Sequence, residues 1–327
     1  MNYRGFGKSS FKVSEIGLGT WQLGGAEWGD VDEQSALATL REAVNNGVNF
    51  FDTADVYGTG RSESLIGKFL SECSSEVYVA TKLGRFPDPG WPANFSLNSL
   101  RSHTEASLRR LRMESLDLTQ LHCVPESVLR EGEVFESLRI LKGEGKIKNF
   151  GASVESDEEA ALCLQQEGLA SLQIIFNIFR QKPVELFEQA QSKGVALIVR
   201  LPLASGLLSG KFTKETKFAA NDHRSFNRDG QEFNVGETFA GIEFEKGVEL
   251  AEALKSFVPE GMTMAQMALR WILDFDAVSV VIPGARNTTQ VKANAAASDL
   301  PPLGSDLHLR LKEFYETRVT SHIRGAY

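Results

Sequence analysis

Eight short apolar runs, rich in β-branched and aromatic residues, recur along the chain. They are "EIGLG" near residue 16, "VNFF" near 49, "VYVAT" near 78, "LDLTQL" near 118, "IKNFGAS" near 150, "LQIIF" near 174, "VALIVR" near 197 and "VSVVI" near 280. Between them lie segments of helical periodicity. In "DEQSALATLREAVNNG", Leu37, Leu40 and Val44 share a face and Gly47 is the expected stop. "SDEEAALCLQQEG" opens with a capping box of Ser156 and Glu159 and closes at Gly168. "KPVELFEQAQSKG" has Pro183 in its first turn and Gly194 at its end. Ahead of the first run, "YRGFGKSSFKVS" predicts a small β-hairpin.

Strand and helix in strict alternation predict a parallel sheet. Eight such units close into a (β/α)8 TIM barrel, and 327 residues suit one barrel spanning 1–327 as a single domain. An open doubly wound sheet is the main rival. A long loop follows the seventh strand: residues 203 to about 245 are polar and rich in Gly and Phe, the composition of a functional loop or lid.

In a parallel barrel the strand C-termini converge on one rim, so the last residue of each strand is where chemistry belongs. The second strand ends at Asp52 and is followed by Tyr57, the third ends at Lys82, and the fourth ends at His122. Each alone has an ordinary explanation as cap, packing residue or solvated charge. Together they form a proton-supplying set. A phenol, with an unperturbed pKa of roughly 10, is brought down by a nearby ammonium, which a carboxylate fixes in place. His122 then orients a substrate oxygen. A carbonyl receiving hydride is a group that needs such a proton.

Composition narrows the partners. With 35 basic and 43 acidic residues, the net charge of −8 disfavours nucleic acid and anionic membranes. Cys73, Cys123 and Cys163 are three scattered cysteines with no CxxC, which suits a reducing compartment. Without a signal-like start or a long apolar run, a soluble cytoplasmic protein is expected. Familiar motifs fail. "GLGTWQLGG" has Gln22 where a third Rossmann glycine belongs, and "GLLSGKF" is one residue short of a P-loop. The five histidines form no HxH or HExxH, and no GxSxG occurs, so no metal is expected.

"FFDTADVYG", "VATK" and "TQLH" resemble the signature of the aldo-keto reductase family, and the likeness runs from "IGLGTWQLGG" to "VIPGARNTTQVKANAAASD". The resemblance implies an Asp52, Tyr57, Lys82 and His122 tetrad, with Tyr57 as general acid, reducing an aldehyde or ketone, sugar-derived compounds included. It implies a nicotinamide cofactor held without a Rossmann domain. Gly19, Thr20, Trp21 and Asp52 would lie beside the nicotinamide and substrate, and Ser153 and Gln173 would bond the carboxamide. Leu203, Ser205, Gly206, Leu207 and Lys211 would wrap the pyrophosphate. Gly284, Arg286, Gln290 and Asn294 would meet the adenosine end. Arg286 suits a 2′-phosphate, so NADP(H) is the expected cofactor.

The chain departs from the family at three positions. Val154 replaces a common Asn, Arg200 replaces an aromatic that stacks on the nicotinamide, and Ala293 replaces an acid. Arg200 near an oxidised, cationic ring would favour the reduced cofactor. Two other functions remain open at this point: a Schiff-base lyase using Lys82, and a weakly catalytic or non-catalytic NADP(H)-sensing module on the same barrel. The sequence leaves the substrate and the oligomeric state undefined; Trp21, Trp28, Phe86 and Trp91 on early rim loops suggest an apolar pocket.

Overall fold

Strands β1 (Tyr3–Gly5) and β2 (Lys12–Ser14) pair antiparallel as the expected hairpin. The remaining strands are β3 (Leu18–Gly19), β4 (Phe50–Asp52), β5 (Tyr78–Leu83), β6 (Leu118–His122), β7 (Phe150–Ser153), β8 (Leu169–Ile175), β9 (Ala196–Arg200) and β10 (Val278–Val281). They lie side by side in chain order, each parallel to the next. The first and last strands also meet. Bridges join Ile16 to Val281 and Gly19 to Gly284, and Gly17 N–H donates to the Val281 carbonyl at 2.8 Å. The sheet therefore curls into the (β/α)8 barrel, and the open-sheet alternative is excluded. The computed structural model describes residues 1–25, 28 and 31–326.

The strands read as continuous apolar runs because both of their faces are covered. Alternate residues belong to different cores. Phe50, Ala80, Leu118, Ala196, Ile198 and Val280 pack inside the barrel with Phe6, Phe11 and Val13 of the hairpin, which plugs the N-terminal end. Their neighbours Phe51, Val79, Leu121, Leu197, Val199 and Val281 face the helices. With a period of two, the inward position after Phe50 is Asp52, after Ala80 it is Lys82, and after Ile198 it is Arg200. The interior thus turns from apolar at the plugged end to ionic at the rim.

The outer helices follow local rules with small departures. Helix Glu33–Asn45 is capped by Asp32, which accepts from Ser35 N–H, but its fully buried face is Ala36, Thr39, Leu40 and Ala43. Leu37 and Val44 are only partly buried against the core. In helix Asp157–Leu164, Ser156 caps Glu159 N–H at 3.1 Å, while the Glu159 carboxylate accepts from Glu155 N–H at 2.7 Å instead of closing the box on Ser156. Pro183 lies in a 3-10 turn (Lys182–Leu186) ahead of helix Phe187–Lys193, and Gly194 caps it with φ 64°. The long connection after β9 contains helix Phe244–Leu254, which the sequence reading did not separate from the loop.

Candidate functional site

Strand register brings the rim residues to one level. Gly19 pairs with Asp52, Lys82 with Gln120, and His122 with Ser153, which pairs in turn with Gln173. The Asp52 carboxylate accepts from Lys82 Nζ at 2.6 Å and from Gln173 Nε2 at 2.7 Å. Lys82 Nζ also donates to the Thr53 carbonyl at 2.8 Å and contacts the Tyr57 hydroxyl at 3.3 Å. An ammonium has three protons, and each has an oxygen here. The ion pair is deeply buried, with the Lys82 side chain 1% and the Asp52 side chain 4% exposed. The Tyr57 ring stacks on Trp21 at 5.8 Å and meets His122 edge-on at 5.9 Å.

Tyr57 is held from behind as well. Gly58 has φ 59°, and a Cβ there would sit 2.2 Å from the Gly24 carbonyl oxygen. Only glycine permits that approach of the tyrosine turn to helix Trp21–Gly24. Gly58→Ala is expected to destabilise the protein by about 1–3 kcal/mol through overpacking alone, measured by chemical denaturation. An unchanged midpoint would mean the turn is free to move.

The electrostatics differ from expectation in one respect. Burial, then the Asp52 and Glu237 carboxylates, hold the Tyr57 phenol well above its ordinary value, with Arg200 opposing. The expected lowering by Lys82 is therefore outweighed, and Tyr57 stays protonated throughout the physiological range. Burial also lowers Lys82, against the pull of Asp52. Burial, then Arg85 and Lys82, hold His122 well below its ordinary range, so the imidazole is neutral.

The other expected residues divide into four groups. Thr20 is structural: its N–H and hydroxyl donate to the Asp52 carbonyl at 2.9 and 2.8 Å, which fastens β3 to β4. Gln173 has its amide on Asp52, and Ser153 lies beside Cys123 Sγ at 3.6 Å. The 203–211 segment is strongly turned, with Ala204, Ser205 and Gly206 at φ 46°, 54° and 101°. Ser205 Oγ donates to the Glu237 carbonyl at 3.3 Å and accepts from Phe239 N–H at 3.1 Å, so its hydroxyl faces the long loop. Leu207 is buried, while Lys211 is exposed. At the far end the Gln290 side chain accepts from Arg286 N–H at 2.7 Å and Asn294 donates to the Gly284 carbonyl at 3.3 Å, which shapes the turn before helix Thr288–Ala295.

Arg200 is engaged within the protein. Its guanidinium donates to Val154 O at 3.2 Å and contacts Cys123 Sγ at 3.4 Å, with Glu237 3.8 Å away. Sequence reasoning missed Glu237 and its partners Arg85 and Glu155, because the long loop has no periodicity to flag them. It also missed the aromatic packing over the mouth, where Trp28 and Trp21 meet His223 at 4.4 and 4.7 Å. Cys123 Sγ and carboxylate oxygens of Glu155 and Glu237 lie within 4.8 Å of one another, but Arg85 donates to both acids and Arg200 lies near Glu237, so cations already stand where a metal ion would.

Among the described residues no helix is long and apolar enough to cross a membrane. The model of the Aldo/keto reductase family matches residues 15–316. An aldo-keto reductase of Bacillus subtilis is 30% identical over 305 residues, covering 90% of this chain and 87% of the relative. Among solved structures, the holo form of an aldo-keto reductase from Bacillus halodurans superposes with a TM-score of 0.80 at 28% identity, covering 99% of this chain and 98% of that one. A glycerol dehydrogenase from Gluconobacter oxydans gives 0.77 at 26% identity, with coverage of 99% and 98%.

Proposed function

The chain belongs to the aldo/keto reductase family, and from that premise we propose that it reduces a small aldehyde or ketone to the alcohol with NADPH, using Tyr57 as the proton donor. The observation that carries this reading is the Tyr57 hydroxyl lying 3.3 Å from Lys82 Nζ, itself paired with Asp52 at 2.6 Å, on the rim of a barrel.

The residues suit a dinucleotide. Ala204, Ser205 and Gly206 form a left-handed turn in which the Ala204 and Gly206 N–H groups donate to the Leu201 and Leu203 carbonyls at 3.0 and 2.9 Å, which leaves the Ser205 amide for an anion. Arg286 is exposed, and among the described residues no carboxylate pairs with its guanidinium, which leaves the fork available to a 2′-phosphate. Ser205 itself contributes backbone, since its hydroxyl is engaged elsewhere. A bound nicotinamide cofactor supplies the hydride.

The protein's own part is proton supply and orientation. Neutral His122 hydrogen-bonds the substrate oxygen and turns it towards Tyr57, whose protonated phenol hands over its proton. Lys82 keeps the phenol oxygen in place, and Asp52, fixed by Gln173, keeps Lys82 in place. The Schiff-base alternative is disfavoured because Lys82 Nζ is fully engaged by three oxygens. The glycerol dehydrogenase neighbour supports small polyols and their carbonyl forms as first substrates to try.

NADPH fluorescence titration followed by a turnover panel of aldehydes, ketones, quinones and sugars tests the reading. Failure to bind either nicotinamide cofactor would sink it. Arg286→Ala is expected to cut the preference for NADPH over NADH by about 10–100-fold, the value of a charge-assisted hydrogen bond. An unchanged ratio means the clamp lies elsewhere.

A further inference from the structure

Next to the tetrad lies a second buried ionic group, which biases Tyr57 and His122 electrostatically but donates no proton in the proposed reaction. Glu155 follows β7, and Glu237 belongs to the long loop. Arg85, from the loop after β5, donates through Nη2 to Glu155 Oε1 at 3.1 Å and to Glu237 Oε1 at 3.2 Å. Arg200 on β9 approaches Glu237 at 3.8 Å. Asn234 Nδ2, on the long loop, donates to Glu155 Oε2 at 3.0 Å, while its own Oδ1 accepts from Gly236 N–H at 2.6 Å. Arg180, after β8, donates to the Glu155 carbonyl at 3.3 Å. His122 and Cys123 face the pair from β6, and Tyr57 lies within the field of Glu237. The Glu155 and Glu237 side chains are only 17% and 7% exposed.

The long loop is thus pinned to three strand ends through one pair of carboxyl groups. The two carboxylates have oxygens within 4.8 Å of each other and share the single Nη2 of Arg85, and so close and so dry they resist carrying two full charges. We propose that Glu155 and Glu237 seat the long loop on the barrel mouth by sharing one proton between them, so that seating takes up a proton from solvent water and weakens as the pH rises.

The direction of titration agrees. Burial, then the facing Glu237, push Glu155 up to about 7. Burial opposes ionisation of Glu237 too, but Arg85 and Arg200 outweigh it and hold that carboxyl below its ordinary range. Glu155 is therefore the proton carrier. In the unseated loop its carboxyl returns to the ordinary value of 4.5. A raised acid favours the seated state fully below that value, and the benefit is lost as pH climbs from about 5 to about 7. Above about 7 no further change follows. The same loop ties to Ser205 through the Glu237 carbonyl and Phe239 N–H, so the turn that would hold the cofactor phosphates moves with it. Only that last consequence rests on the cofactor reading.

Hydrogen exchange on the free protein tests the proposal without any cofactor. The amides of Glu237, Thr238 and Gly241 are hydrogen-bonded within the loop, and Phe239 N–H is bonded to Ser205. After division by intrinsic rates, protection across 235–241 should fall by up to about tenfold per pH unit between 5 and 7, then level off. Glu155→Gln, which keeps the shape and removes the titration, should flatten that profile. A flat wild-type profile, or an equal slope in Glu155→Gln, overturns the proposal. Should that variant fail to fold, the peptide of strand β8 (Leu169–Ile175) serves as the comparison. An equal slope there means global loosening and overturns the proposal; a slope confined to the loop supports it.

Discussion

Replacing Tyr57 with Phe is expected to lower the turnover of carbonyl reduction by about 10²–10⁴, the contribution of a positioned general acid, while NADPH affinity stays within about twofold. The ring, its stacking on Trp21 and its edge contact with His122 all survive the change. Only the hydroxyl 3.3 Å from Lys82 is lost, so the variant isolates proton supply from packing. The pH dependence should agree. Burial and two carboxylates keep the phenol above its ordinary value of 10.0, so it remains loaded below that pH. Wild-type reduction should show no alkaline limb from Tyr57 before about pH 10. An acid-side loss from His122 requires its protonation, which burial and the flanking Arg85 and Lys82 push well below 6.5. Steady-state kinetics across pH 5.5–9.5 with a responsive aldehyde reads both limbs. A limb near neutrality belonging to the variant and wild type alike would belong to another group, and a Tyr57→Phe enzyme at full rate would remove Tyr57 from the reaction.

Lys82→Met should be the most destabilising single change at the rim, by about 3–5 kcal/mol, because it strands the buried Asp52 carboxylate without its cation. Gln173 still donates to the other carboxylate oxygen, which limits the damage but cannot neutralise a charge. Adding Asp52→Asn should restore most of the stability, since an amide and a thioether are both neutral, while activity stays lost. The comparison separates two roles that one side chain performs. If the double variant is no more stable than Lys82→Met, the orphaned charge was not the cost, and packing around Lys82 would have to supply it. Denaturant unfolding of the wild type and the two variants, with far-UV circular dichroism as the probe, decides it.

How far the sequence could be read follows from where periodicity exists. The eight strands are covered on both faces, so they stand out as apolar runs, and their polar last residues are conspicuous for that reason. Asp52, Lys82 and His122 were found because an ionisable group closing such a run breaks its pattern. Register then brings them to one level, which a parallel barrel does without further instruction. Burial was legible only approximately: on helix Glu33–Asn45 the small residues Ala36 and Ala43 are fully buried, while Leu37 and Val44 are only partly so. The long loop was opaque. Glu237 and Asn234 sit in irregular turns, and their partners Arg85 and Glu155 come from distant loops, so no local pattern announces the cluster. The electrostatic sign on Tyr57 was opaque for the same reason. Sequence placed one ammonium beside the phenol, whereas the folded chain adds burial and the carboxylate of a residue 180 positions later in the chain.

The central claim is that a protonated phenol, steadied by a buried ammonium, quenches the oxygen that hydride addition leaves charged. Single-turnover oxidation of bound NADPH by an aldehyde, followed in H2O and in D2O, measures that proton most directly. The account predicts a slower wild-type reaction in D2O and a Tyr57→Phe reaction that is slow in both solvents. Equal single-turnover rates for wild type and variant, with the same solvent effect, would contradict it.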